Sequence, residues 1–275
     1  MRQHVVDAAP ARGRGGSDVV RPFPPSRRLV TAAVRSGRRI VPMHGLLEVD
    51  ISIARRLLAE HDPPLSLTAF VIASLGRAVT AHPEVHAYRD WRGRLVEHGR
   101  VDVQTLIEVP TAQGPFGMVH VIRNAEVRGV ADITDELRSV KAAPASTVSG
   151  RMLTTLAPAV GRLPGVYRLL YAVLRRSRRA HQATGTVQVT AIGMFGGGGG
   201  FAIAPPTLAS LTVVVGGVST RPLAVNGHVE LREVLDVTVT LDHTVVDGAP
   251  AARFGAELRR LMTSATVLVP GNPAG

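Results

Sequence analysis

The chain has 275 residues, of which 45% are hydrophobic and only 4% aromatic, so it can bury a sizeable aliphatic core in one large domain or two small ones. It has no cysteine, which excludes disulfides, zinc–thiolate sites and cysteine nucleophiles. The formal net charge of +11 is carried almost entirely by arginine, but few aromatic residues accompany it. This balance argues against nucleic-acid binding and suits a phosphate-bearing small molecule.

The N-terminal residues 1–25 are rich in glycine, proline and arginine, and this composition predicts a disordered segment. No apolar stretch typical of a signal peptide follows the first residues. No apolar run reaches the roughly 18 to 20 residues that a membrane-spanning helix needs. We therefore expect a soluble, cytoplasmic protein whose folded domain begins at residue 26.

Apolar spacing and alternation predict the elements of the first half of the chain. Helices are predicted at residues 26–35, 52–60, 66–81 and 130–140. Strands are predicted at residues 45–50, 101–109 and 116–122.

Residues 151–180 form a basic amphipathic stretch, interrupted at Pro164-Gly165 and ending in an arginine-rich run. Such a stretch can lie on an anionic membrane, but it more often covers a protein core with its arginines in solvent. We interpret it as a helical insertion within a catalytic domain that spans residues 26–263. Residues 264–275 are predicted to be a flexible tail.

The last third of the chain returns to strands, with one further helix. The strands are predicted at residues 186–192, 211–215 and 235–241, and the helix at 249–262. The dipeptide Asn226-Gly227 predicts a hairpin turn, and the glycine run 196–200 predicts a flexible loop. Helices and strands that do not alternate strictly predict an α/β fold, in which helices pack on a mixed sheet.

One histidine stands at a junction suited to catalysis. His243 lies within the segment Asp242–Gly248, after a predicted strand and before a predicted helix. A neutral imidazole there can take a proton from a thiol or hydroxyl near pH 7, while Asp247 can hold the loop through hydrogen bonds. A histidine beside carboxylates is more often structural, however. A metal site built from Asp242, His243 and Asp247 lacks a further neutral ligand, so we predict no metal.

Several segments in collinear order resemble one family. The pattern Asp-His-x-x-x-Asp-Gly, followed by Ala-x-Ala-Ala-x-Phe, resembles the catalytic core of the 2-oxoacid dehydrogenase acyltransferases, the E2 components. Residues 187–196 resemble that family's segment TVSNLGMFG, and residues 203–206 resemble its INPP turn. The resemblance covers roughly residues 26–263. It implies the fold of chloramphenicol acetyltransferase, an α/β two-layer sandwich with a mixed sheet and packed helices.

The resemblance also implies a mechanism and a set of site residues. His243 would act as general base in direct acyl transfer between a coenzyme A thioester and a thiol, hydroxyl or amine acceptor. Thr190 stands where the family has a serine that stabilises the oxyanion, although a β-branched threonine also suits an ordinary strand. Asp247 belongs to the same catalytic motif, while Gly193 and Phe195 fall in the segment expected to bind substrate.

The implied partners follow from the same resemblance. Coenzyme A or acyl-CoA would be a cosubstrate, with no covalently bound cofactor, and the protein would form a homotrimer or larger assembly. Lys141, the only lysine, follows a predicted helix, so this stand-alone catalytic domain without a lipoyl domain would use a lipoyl group on a separate protein or an unrelated acceptor. Nucleic-acid and membrane partners are not expected.

Two features leave alternatives to catalysis open. Thr244 replaces the arginine usual in the family, which would suit an inactive E2-like scaffold. The basic stretch 151–180 would suit a membrane-associated module.

Overall fold

The computed structural model describes residues 25–109, 116–144, 166–193 and 198–269, together with Val20 and Phe23. Most of the N-terminal segment predicted to be disordered lies outside these residues. The same is true of residues 151–165 of the helical insertion and of the last six residues of the chain.

Five of the described helices lie where apolar spacing predicts them, and two further helices lie within or just after the predicted insertion. They are α1 Pro25–Gly37, α2 Ser52–Glu60, α3 Leu67–Ala81, α4 Val130–Ala142, α5 Val166–Arg176, α6 Arg178–Thr184 and α7 Gly248–Ser264. The Ser66 hydroxyl accepts a hydrogen bond from the Ala69 N–H at 3.4 Å and so caps α3. Beyond α7, a 3₁₀ turn at Thr266–Leu268 follows the buried Ala265.

The strands form one mixed sheet and a small hairpin. They are β1 Pro42–Asp50, β2 Tyr88–Arg89, β3 Leu95–Val96, β4 Val103–Val109, β5 Phe116–Ile122, β6 Val187–Ala191, β7 Leu211–Val225 and β8 His228–Asp242. The sheet order is β1-β8-β7-β6-β4-β5, and β2 pairs with β3. Because β6 runs parallel to β4 and β7 while the other pairs are antiparallel, the predicted mixed sheet is confirmed.

The β7–β8 hairpin is longer than predicted. Each strand has 15 residues, whereas alternation marked only the inner parts at 211–215 and 235–241. Asn226 and Gly227 have φ angles of 51° and 82°, so the predicted turn has the two left-handed residues of a type I′ turn. The outer part of β8 carries exposed apolar residues such as Val229 and Leu231.

The two faces of the central strands differ in polarity. One face is apolar and joins the core with α3 and α7; its residues are Val187, Val189, Val213, Val215, Val237, Val239 and Leu241. The intervening positions lie on the opposite face and are mostly polar: Gln188, Thr190, Thr212, Asp236, Thr238 and Thr240. We call this the polar face. Its residues are nonetheless buried, at most 8% exposed.

The described part of the helical insertion packs onto the body of the protein. Helix α5 contacts α1, and the Arg123 guanidinium donates to the carbonyls of Gln182 and Ala183 at the end of α6. Within the described residues, we find no helix both long and apolar enough to cross a bilayer.

Candidate active site

His243 is carried by a tight turn between β8 and α7. The Asp242 carboxylate closes the turn by accepting hydrogen bonds from the Thr244 N–H at 3.0 Å and from the Thr244 hydroxyl at 2.8 Å. The His243 N–H donates to the Val41 carbonyl at 2.8 Å, which ties the turn to the residue before β1. Thr244, which departs from the family's arginine, therefore takes part in the hydrogen bonding of this turn.

The hydrogen bonds of the imidazole fix its tautomer. Nδ1 of His243 lies 3.1 Å from the Val246 carbonyl oxygen. A carbonyl oxygen only accepts, so Nδ1 donates, and the neutral ring keeps its lone pair on Nε2. The side chain is 47% exposed, so a substrate can reach Nε2. This arrangement provides what a general base requires.

Asp247 does not hold the loop in the way the sequence suggested. Its carboxylate is 90% exposed, and its Oδ1 lies 3.9 Å from His243 Nδ1, beyond hydrogen-bonding distance. Asp247 is the N-cap residue of α7, but its side chain makes no capping hydrogen bond. Asp242 holds the turn instead, because its carboxylate reaches the amide two residues ahead.

Thr190 lies on the polar face near the end of β6. It is 8% exposed, and its parallel partner on β7 is Val214. Its hydroxyl makes no hydrogen bond to another residue of the described ranges. The hydroxyl is therefore free to donate to a negatively charged oxygen.

Gly193 follows β6 and lies directly against the backbone of β7. A Cβ at this position would overlap the carbonyl of Gly216, so only glycine allows the approach. Phe195, the other residue expected to bind substrate, lies outside the described residues.

The structure does not bring His243 and Thr190 together within one chain. Thr190 is level with Val214, which pairs with Thr238 on β8, and His243 lies five residues beyond Thr238. At a rise of about 3.3 Å per residue and a strand spacing of about 4.8 Å, the two residues are on the order of 19 Å apart. A site that uses both residues therefore requires a second subunit.

Solved structures define the fold class. The chain superposes on chloramphenicol acetyltransferase with a TM-score of 0.50 at 15% identity, covering 84% of this chain and 93% of the other. The dihydrolipoamide acetyltransferase of Azotobacter vinelandii gives a TM-score of 0.65 at 18% identity, covering 96% and 99%. The catalytic core of the 2-oxoacid dehydrogenase multienzyme complex of Thermoplasma acidophilum gives 0.63 at 16% identity, covering 91% and 100%. The predicted chloramphenicol acetyltransferase-like fold is confirmed.

Sequence comparisons show which proteins the chain is similar to within this fold class. Residues 172–269 match the model of the 2-oxoacid dehydrogenases acyltransferase catalytic domain. The lipoamide acyltransferase component of the Pseudomonas putida branched-chain alpha-keto acid dehydrogenase complex is 23% identical over 248 residues, covering 86% of this chain and 50% of the relative. The succinyltransferase component of the Escherichia coli K12 2-oxoglutarate dehydrogenase complex is 25% identical over 212 residues, covering 76% and 43%.

The chain is therefore similar to the catalytic domains of the E2 acyltransferases, as its motifs predicted. It spans about half the length of the curated relatives that it matches.

Proposed function

We propose that this protein is an acyltransferase that moves an acyl group between a coenzyme A thioester and a thiol, hydroxyl or amine acceptor, with His243 as general base. The observation that carries the proposal is the hydrogen bond from Nδ1 to the Val246 carbonyl, which leaves Nε2 unprotonated and accessible. The relatives are named as lipoamide or dihydrolipoyllysine acyltransferases, so a dihydrolipoyl thiol is the first acceptor to test.

The chemistry is a direct transfer without an acyl-enzyme. The acceptor thiol gives its proton to Nε2 of His243 as its sulfur attacks the thioester carbonyl. The Thr190 hydroxyl donates a hydrogen bond to the resulting oxyanion. The tetrahedral intermediate then expels the thiolate of coenzyme A, which takes the proton back from the imidazolium.

Asp247 keeps a proposed place in this chemistry. In the Azotobacter vinelandii enzyme, the residues whose catalytic role was investigated are a serine, a histidine and an asparagine four residues after that histidine. His243 and Asp247 have the same spacing. Because the Asp247 carboxylate is exposed, it is available to a substrate or to a neighbouring subunit.

The separation of His243 and Thr190 supports a homotrimer with the active site between subunits. Closed ring symmetry lets each subunit offer its His243 to one neighbour and its Thr190 to the other. An acceptor lipoyl group would then come from outside this domain, since Lys141 lies in the last turn of α4 rather than at a hairpin tip.

A His243→Ala variant tests the proposed base. With a panel of acyl-CoAs and dihydrolipoamide, we expect kcat to fall by about 10²- to 10⁴-fold, because one positioned base contributes that much. His228→Ala is the matched control, since it removes an exposed histidine from β8, the strand that leads to His243, and should leave the rate unchanged. Equal turnover of His243→Ala and wild type would contradict the role of His243. If wild-type protein forms a trimer but transfers no acyl group from any acyl-CoA to any acceptor, the scaffold hypothesis is supported instead.

A further inference from the structure

The carboxylate of Asp236 is buried on the polar face, next to Gly200 in segment 198–210, the residues that precede β7. Asp236, in the middle of β8, is completely buried. Its Oδ2 accepts hydrogen bonds from Nη2 of Arg221 and from the backbone N–H of Gly200, each at 2.6 Å. The Arg221 guanidinium also donates to the Ser219 hydroxyl at 2.9 Å and pairs with Glu48. A buried charge is tolerated only when it is paired. Here the pairing is through Oδ2 alone, because Oδ1 of Asp236 is buried without a hydrogen-bond partner in the described residues.

The bonded amide belongs to the segment that follows the candidate substrate-binding residues. Besides donating to Asp236, Gly200 accepts a hydrogen bond from the Gly217 N–H at 3.0 Å. Gly217 and Gly216 form an irregularity in the β7–β8 register between Val215 and Val218. Gly193 lies against the same two glycines. The residues on both sides of 194–197 therefore rest on one bulge of β7.

The backbone of residues 198–200 packs closely against this bulge. A Cβ on Gly216 would overlap the Gly200 carbonyl, and a Cβ on Gly217 would overlap the Gly198 carbonyl. Asp236 lies on the neighbouring strand β8, opposite this bulge. Its charge-assisted hydrogen bond to the Gly200 N–H is stronger than one between neutral groups. The glycines allow the segment to approach, and the carboxylate holds it there.

We propose that Asp236 is a positioning residue: with Arg221 it fixes residues 198–200 and, through the bulge of β7 that they share, the position of Gly193, a candidate substrate-binding residue. This inference rests on the proposed acyl transfer. Asp236 itself is buried in the sheet and acts through the segment rather than on the substrate. When Asp236 carries no charge, residues 198–200 are less ordered. The substrate must then supply the free energy of ordering them when it binds.

An Asp236→Asn variant of the full chain tests the inference through two independent readouts. Hydrogen exchange measured by mass spectrometry should show the Gly200 amide exchanging about 10-fold faster than in wild type, because its acceptor has lost its charge. The KM for acyl-CoA should rise about 10-fold while kcat changes by less than about 3-fold, since the base at His243 is untouched. Arg221→Lys, which keeps the positive charge, should give an intermediate KM.

Arg128→Ala provides the matched control. The Arg128 side chain is 19% exposed, similar to the 27% of Arg221, and it also pairs with two carboxylates, those of Asp132 and Glu136. It precedes α4, away from β7 and β8, so it should lower stability without raising KM. If Asp236→Asn does not fold, Arg221→Ala breaks the same ion pair by removing its more exposed partner.

The two readouts separate the positioning role from the proposed function. Unchanged exchange at Gly200 in Asp236→Asn, or a KM increase equalled by Arg128→Ala, overturns the role of Asp236. Wild-type protein without acyl transfer contradicts only the proposed function, because faster exchange at Gly200 would still show that Asp236 holds the segment.

Discussion

At the scale of single residues, Asp242 and His243 together build the turn that carries the proposed base. His243 supplies the imidazole, and its Nδ1–H is used by the Val246 carbonyl. Asp242 shapes the turn, since its carboxylate accepts from Thr244 and from the Val41 N–H at 3.3 Å. The carboxylate that matters to the geometry of the turn is therefore the one before the histidine.

An Asp242→Ala substitution should loosen the turn and misplace the imidazole. We expect kcat to fall by about 10- to 100-fold, because small displacements of a catalytic group are costly. We also expect a stability loss of about 1–2 kcal/mol from the lost hydrogen bonds. Steady-state kinetics and urea denaturation measure the two effects. Thr244→Val removes only the hydroxyl contact, so its kcat and its stability should lie between those of Asp242→Ala and wild type. A fully active Asp242→Ala would refute the role of Asp242.

At the scale of elements, a cluster of rings joins the β2–β3 hairpin region to helix α6. The Tyr88 ring stacks on His181 at a centroid distance of 3.9 Å and on His98 at 5.2 Å, and His86 lies 5.4 Å from His98. Burial lowers the pKa of His86 to about 4 and that of His98 to about 4. The neighbouring imidazoles and Arg178 lower the pKa of His98 further, against the opposing effect of Asp102.

This cluster predicts an acid-sensitive fold. The folded pKa values near 4 lie below the unfolded value of about 6.5, so the unfolded state binds more protons between these limits. The contribution of these two histidines to stability should be constant above about pH 6.5 and fall as the pH drops towards 4, by at most about 1.4 kcal/mol per pH unit for each histidine.

Urea denaturation at pH 7.5, 6 and 5 measures this dependence. A His86→Gln variant should show a flatter dependence on pH than wild type, because one of the two depressed groups is gone. His228→Ala, which removes an exposed histidine, should retain the wild-type slope. Identical slopes for all three proteins would contradict the assignment.

At the scale of the whole molecule, the sheet places the two halves of the proposed site far apart. His243 follows the end of β8, whereas Thr190 is level with Thr238 in the interior of that strand. Thr190 lies in a paired strand, and the turn that carries His243 is bonded to Val41, so the two residues are held apart. Assembly is therefore part of the proposed active site.

Mixing two inactive variants tests this arrangement. His243→Ala and Thr190→Val chains, unfolded together at equal amounts and refolded, should regain about a quarter of wild-type activity. That fraction is the share of interfaces of a random trimer that join an intact His243 to an intact Thr190. Each variant refolded alone is the control. Recovery no greater than that of the separate variants would refute a shared site, and sedimentation measures the trimer itself.

Local sequence patterns were sufficient for much of the fold. Apolar spacing located α3, capped by Ser66, and Asn226-Gly227 located the hairpin turn, because helix faces and tight turns depend on neighbouring residues. The strand–turn–helix context of His243, together with the collinear motifs, was sufficient to predict the similarity to the E2 acyltransferase catalytic domain. The sequence by itself thus determined the element types, the fold class and the candidate base.

Tertiary structure decided what depends on pairing between distant segments. Asp236 lies within a predicted strand, but only the β7–β8 register and segment 198–210 show that its charge is buried and bonded to Gly200. Likewise, only strand register shows that Thr190 and His243 are far apart in one chain. Burial, register and separation are set by contacts between residues remote in sequence, and a local pattern carries no record of which remote strand lies beside it.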